Sequence, residues 1–169
     1  IPVKLTNYSE FQKLMRTLIG AKSIDSIREI WWDVRPHPSY GTVEIRVCDS
    51  IPDLINIKDL TAFIQALVVG LSNHYENGTQ LPYLDSWIIH ENKWRATRYG
   101  LEASLIMNED GDQTPIKDVI KDTISALEPE INKLNVGESM DRIISRIDSN
   151  SMYYKKQIEL YNINNDFKN

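Results

Sequence analysis

The residues best suited to chemistry lie in a short run, Thr42-Val43-Glu44-Ile45-Arg46-Val47-Cys48, where polar and apolar side chains alternate. Successive side chains of a strand point to opposite faces, so Thr42, Glu44, Arg46 and Cys48 share one face and Val43, Ile45 and Val47 the other. The preceding run repeats the pattern: Asp33 and Arg35 share a face flanked by Trp31, while Trp32 and Val34 point away. With a turn centred between Pro38 and Ser39, parity sets Asp33 near Glu44 and Arg35 near Thr42 on one charged surface, leaving the apolar face for the core. Such a surface suits nucleotide-dependent chemistry, because a hard cation such as Mg²⁺ takes carboxylate oxygens and arginine grips phosphate through paired hydrogen bonds. The same pattern also describes cross-strand ion pairs on a solvated sheet face, worth under about 1 kcal/mol each.

A second cluster follows from helical spacing: Ile88, Asn92, Arg95 and Tyr99 lie along one line, with Arg98 beside it. An amide, two guanidiniums and a phenol there could hold a carboxylate or phosphate; the alternative is an exposed helix with Glu91 paired to Arg95. His37, between strand and Pro38, is either a ligand or proton carrier or a turn histidine bonded to backbone. Cys48 has no nearby histidine to activate it and reads as a small packing residue. No nucleophile elbow, P-loop or Rossmann glycine pattern occurs.

The element that must position the first cluster is a β-hairpin over about 30–49, with His37-Pro38-Ser39-Tyr40-Gly41 as its turn. A helix precedes it, capped by Asn7 with Glu10 at the capping-box distance and burying Phe11, Leu14, Met15, Leu18 and Ile19. After it, Asn56 with Asp59 reads as the start of a deeply buried helix carrying Ile57, Leu60, Ile64, Leu67, Val68 and Leu71. A helix over 85–99, with Trp87, Trp94 and Leu101 at heptad spacing, is closed by Gly100. Thr114-Pro115 opens a helix through Ile116, Val119, Ile120, Ile124 and Leu127 that Pro129 ends or kinks. Two further amphipathic segments follow, and the tail after Asn162 is expected to fray.

The 169 residues, 41% hydrophobic and 25% charged, fit one globular unit spanning 1–169 and exclude a collagenous or disordered chain. The apolar stretch Phe63 to Leu71 is interrupted by Gln65 and Gly70, no secretory leader pattern opens the chain, and one cysteine makes no internal disulfide. A soluble cytoplasmic protein without a membrane partner is therefore expected. The net charge of −5 falls entirely after residue 100, with 11 basic and 11 acidic groups before it and 8 and 13 after. That acidity argues against nucleic-acid binding, which needs clustered Lys and Arg.

The run Trp31-Trp32-Asp33-Val34-Arg35-Pro36-His37-Pro38-Ser39-Tyr40-Gly41-Thr42-Val43-Glu44-Ile45-Arg46-Val47-Cys48-Asp49 closely resembles a signature of the carboxylate-amine ligases, the glutamate-cysteine ligase type 2 family. Glu91-Asn92-Lys93-Trp94-Arg95-Ala96-Thr97-Arg98-Tyr99-Gly100-Leu101-Glu102 resembles that family's second C-terminal motif. The resemblance implies an α+β chain: the helix-rich C-terminal part of a glutamine-synthetase-like fold, an antiparallel sheet with helices on one face. It implies an ATP-dependent ligase with Mg²⁺ or Mn²⁺, of the kind used in glutathione-type biosynthesis, that phosphorylates a carboxylate and lets an amine displace the phosphate. Residue by residue, it makes Glu44 a metal ligand and Arg46 and Arg35 catalytic, with His37, Asn92, Arg95 and Arg98 as substrate or nucleotide contacts. The family's early Gly-x-Glu-x-Glu strand, whose carboxylates help hold the metals, has no counterpart here, so this fragment is expected to be inactive alone. The competing expectation is a non-catalytic module on the same scaffold that pairs with a second copy through an exposed sheet edge.

Overall fold

A computed structural model describes residues 1–79 and 83–164 and has the expected mixed α+β character. Where the sequence suggests one unit, the chain divides into two, Ile1–Ser50 and Ile51–Asn169. Each has its own apolar interior: Phe11 and Ile30 are buried in the first, and the cluster of Ala62, Ala66, Ile124, Leu127, Ile131 and Met140 belongs wholly to the second.

The first unit opens with α1 (Tyr8–Gly20). Its start is the expected one: Asn7 Oδ1 accepts from the Glu10 N–H at 3.1 Å, and Glu10 reaches back to the Thr6 N–H at 2.7 Å. A single 3₁₀ turn, Ile27–Glu29, leads to β1 (Val34–His37) and β2 (Thr42–Ile45). The strands pair antiparallel with Arg35 opposite Glu44 and His37 opposite Thr42, so the loop is 38–41, with Gly41 at a φ of +61°. The turn centre thus lies one residue later than parity alone suggests. Arg35, not Asp33, faces Glu44, and the Asp33 carbonyl accepts from the Arg46 N–H at 2.6 Å. A shift of two positions leaves every side chain on its expected face, whereas a shift of one would have exchanged the faces.

Burial of those faces departs from the expectation at four residues. Arg35 is only 6% exposed, while Val34, Val43 and Val47 on the apolar face are exposed. On the charged side the 3₁₀ turn folds back to cover Arg35, while Trp31, Thr42 and Cys48 on that side are exposed.

The second unit comprises α2 (Leu54–Glu76), α3 (Ser86–Tyr99), β3 (Ser104–Ile106), β4 (Gln113–Pro115), α4 (Ile116–Ala126), α5 (Glu128–Leu134), α6 (Gly137–Asp148) and α7 (Tyr153–Asn164). The antiparallel sheet is therefore two separate two-stranded ribbons among the described residues. Thr114, expected as a helix cap, lies in β4 instead, because Ser104–Ile106 draws Gln113–Pro115 into a ladder and the Ile116 N–H donates to Ala103 O. Pro129 stands in the first turn of α5, where a missing N–H costs nothing, and so separates α4 from α5 as expected. Helix α7 runs through Asn164, and the rest of the tail lies outside the described residues.

Helix α2 is capped by Asp53, whose Oδ1 accepts from the Ile55 N–H at 2.8 Å, three residues before the expected cap. It is not deeply buried: Ile57, Val68 and Leu71 are exposed, and the buried stripe is Asp59, Ala62, Ala66 and Gly70. It is long and apolar enough to cross a bilayer, yet the stripe it turns inward is made of small residues and one charge. At Gly70 a Cβ would stand 2.5 Å from Leu127 Cδ2, so the glycine lets Leu127 seat directly on the helix backbone.

Asp59 is fully buried and holds α6: Arg142 donates to both carboxylate oxygens at 2.7–3.1 Å, and Arg146 Nη2 donates to Oδ2 at 2.7 Å. Burial alone would push the Asp59 carboxyl up, but hydrogen bonds from Arg142, Arg146 and Ser139 outweigh it and hold the pKa at about 2. A carboxylate with a depressed folded pKa stabilises above its ordinary value of 3.8 and loses that contribution as pH falls toward about 2. Asp59→Ala leaves two guanidiniums without their buried partner and is expected to cost about 3 kcal/mol or more in urea unfolding of the second unit. The wild type should lose stability between about pH 4 and pH 2, with the loss blunted in Asp59→Asn; equal acid sensitivity in both proteins would count against this assignment.

Candidate active site

The hairpin presents Glu44 between two arginines. Arg35 Nε donates to Glu44 Oε2 and Arg46 Nη1 to Glu44 Oε1, each at 2.7 Å. Arg35 lies directly across the ladder from Glu44, whereas Arg46 is two residues along the same strand and therefore on the same face. The hydrogen bond from Arg35, and then that from Arg46, hold the Glu44 carboxyl below the usual carboxylate range against the opposing effect of burial.

The two arginines differ in freedom. Arg35 is buried, and its Nη1 also donates to the carbonyls of Ile27, Arg28 and Ile30 at 2.8–3.1 Å. It ties down the end of the 3₁₀ turn, taking the Arg28 and Ile30 carbonyls and sharing the Ile27 carbonyl with the Ile30 N–H. Arg46 is partly exposed and stacks over Trp31 at 4.9 Å from the ring centroid, leaving Nε and Nη2 without a hydrogen bond to the described residues. The sequence signal for this stacking is the parity of Trp31, which it shares with Asp33 and Arg35.

His37 lies opposite Thr42, tilted against Tyr40 with ring centroids 4.6 Å apart. Its buried Nδ1 has no hydrogen-bond partner among the described residues. Cys48 is exposed rather than packed, because the strand ladder ends before it.

Among the described residues no group of three or more His, Cys, Asp or Glu side chains gathers as a metal site. Mg²⁺ and Mn²⁺ prefer about six oxygens, and here one carboxylate stands with a guanidinium on each oxygen. These residues by themselves do not fit a divalent cation.

In the second unit the line Ile88, Asn92, Arg95 faces inward. Ile88 is fully buried, and Asn92 exchanges two hydrogen bonds with the main chain of Ile106, at 2.8 and 2.7 Å. Arg95 pairs with Glu91 at 3.0 Å, as the helical spacing suggested, and also donates to Ser104 O and Gln113 Oε1. Both residues thus tie α3 to the second ribbon. Arg98 is exposed over the Tyr99 ring, and Trp87 and Trp94 are exposed as well. Trp94 and Arg95 line an open depression of about 370 Å³ with Glu91, Tyr99, Ser104 and Gln113.

The family model described as glutamate-cysteine ligase family 2 matches residues 1–157. Proteins named "Putative glutamate--cysteine ligase 2" and "2-1" are similar along most of the chain: that of Frankia casuarinae is 36% identical over 157 residues, covering 93% of this chain and 41% of the relative. That of Thermobifida fusca is 38% identical over 156 residues, covering 92% and 39%. The chain belongs to glutamate-cysteine ligase family 2, and it spans about two fifths of the length of these curated relatives.

The central role of Arg35 is open to test. Arg35→Lys keeps the charge but replaces a planar fork with one ammonium, which cannot serve Glu44 and the carbonyls of the 3₁₀ turn together. In ¹³C NMR the Glu44 carboxyl should then titrate closer to the ordinary range, with hairpin amides exchanging about tenfold faster or more. An unchanged titration would show that Arg46 alone sets the state of Glu44.

Proposed function

We propose that this chain forms part of an ATP-dependent carboxylate-amine ligase of the glutamate-cysteine type. The observation that carries the reading is the ionised Glu44 gripped by Arg35 and Arg46 on the charged face of the hairpin, within the segment that matches the family. In the proposed reaction the γ-phosphoryl group of ATP moves to a carboxylate oxygen, preferably the γ-carboxylate of glutamate, giving an acyl phosphate and ADP. An amine nitrogen, such as that of cysteine, then attacks the acyl carbon. The C–N bond forms, the C–O bond to phosphate breaks, the nitrogen loses a proton to solvent, and inorganic phosphate leaves.

Arg46 is the residue proposed to meet the phosphoryl oxygens. Its Nε and Nη2 make no hydrogen bond to the described residues, Glu44 and Trp31 orient it, and a guanidinium matches two phosphoryl oxygens at once. Arg35 acts behind it by holding Glu44 in place. Glu44 alone cannot make a divalent site, so Mg²⁺ or Mn²⁺ in the complete enzyme would draw most of its oxygens from other parts of the longer protein. In the first unit His37 is proposed as a further ligand contact; in the second, Arg98 is proposed as a contact to nucleotide or amino acid, with Asn92 and Arg95 holding its helix to the ribbon.

The test is a pair of substitutions in the longer protein, assayed by phosphate release with ATP, glutamate and cysteine. Arg46→Met should lower kcat by about a hundredfold or more, the usual consequence of losing a preorganised donor to the transferring group. Glu44→Gln should lower it comparably while the protein stays folded by circular dichroism. Near-normal turnover in either variant would overturn the assignment.

A further inference from the structure

The second family motif ends in Tyr99-Gly100-Leu101-Glu102, and these residues are engaged from the far end of the chain. Gly100 closes α3 at a φ of +56°, and a Cβ there would stand 2.6 Å from the Tyr154 hydroxyl and 2.7 Å from its ring carbon Cζ. The tyrosine occupies the space that any other residue at position 100 would fill. The Leu101 N–H, left over where the helix ends, donates to the same hydroxyl at 3.4 Å, and Leu101 itself is buried. One residue further, Glu102 Oε1 accepts from Lys155 at 3.1 Å, Lys117 at 3.2 Å and Asn150 at 3.2 Å. Steric fit, a main-chain hydrogen bond and two of the three donors to Glu102 therefore come from the entry into α7, the third donor, Lys117, coming from α4.

We infer that Tyr99-Gly100-Leu101-Glu102 is the seat of the C-terminal helix α7, and that Tyr154 and Lys155 are positioning residues for Arg98 at the end of α3. The last turn of a helix frays unless its end is capped or packed, and Arg98 sits in that turn, two residues before Gly100. The residues further back need no such help, since Asn92 and Arg95 are already tied to the ribbon. A side chain displaced by about 1 Å can cost a large factor in a reaction, so a latch on the helix end has functional weight.

The seat itself is tested by hydrogen exchange on this chain, and only the kinetic arm rests on the ligase reading. Tyr154→Ala should speed exchange of amides 97–104 by about tenfold or more while leaving α4 to α6 unchanged, and Tyr154→Phe, which keeps the ring, should retain most of the protection. In the longer protein Tyr154→Ala should raise KM for ATP or glutamate by about three- to tenfold with kcat within about twofold, and Phe should restore it. Unchanged exchange at 97–104 in Tyr154→Ala would overturn the seat. Faster exchange with KM and kcat both unaltered would overturn the positioning role. A longer protein that turns over no ATP even as wild type would sink the ligase reading, while exchange would still decide the seat.

Discussion

A guanidinium taken out of water needs oxygens for its N–H groups, and the first unit is arranged around that demand at Arg35. Its acceptors come from two places: the Glu44 carboxylate across the ladder, and the carbonyls of Ile27, Arg28 and Ile30 on the short turn before the strand. The geometry of the hairpin's charged face follows from this. The turn is pinned over Arg35, Glu44 is held ionised, and Arg46 bonds to Glu44 through Nη1, with no hydrogen bond from Nε or Nη2 to the described residues. A hairpin of four-residue strands is marginal by itself, so a buried multidentate arginine is an economical way to order one.

The second unit solves the opposite problem with the same chemistry. There the buried group is an anion, Asp59, and two arginines one helical turn apart on α6 come to it. The stripe of Ala62, Ala66 and Gly70 continuing along α2 lets Leu127 and the α5–α6 pair approach closely. The resulting bundle carries α3, the second ribbon and the seat of α7. Both units thus bury a charged group with its partners beside an apolar interior.

The parts of this structure legible in the sequence are those governed by local periodicity. The faces of the hairpin, the Asn7 cap, the Gly100 stop and the break at Pro129 each depend on residues within one turn of each other, and each is where it was expected. The hairpin register was not legible, because parity fixes the face and not the length of the loop between His37 and Thr42. The burial of Arg35 was not legible either: the acceptors that bring it inside are main-chain carbonyls, which any residues at 27–30 would supply. Three-residue strands such as β3 and β4 leave too short a pattern to detect. Asp59 looked like a capping residue because its true partners are more than eighty positions away. The motif residues Asn92 and Arg95 were found by spacing alone, but their bonds to the ribbon required the fold.

The central claim is that the charged face of this hairpin is one side of a ligase site completed by the rest of a longer protein. The most direct measurement is ATP-dependent amide formation from glutamate and a panel of amines, run in parallel on this chain and on the protein extended to the length of its relatives. The account predicts turnover in the extended protein and none in the short chain. Turnover by the short chain alone, or a folded extended protein silent with every amine, would contradict it.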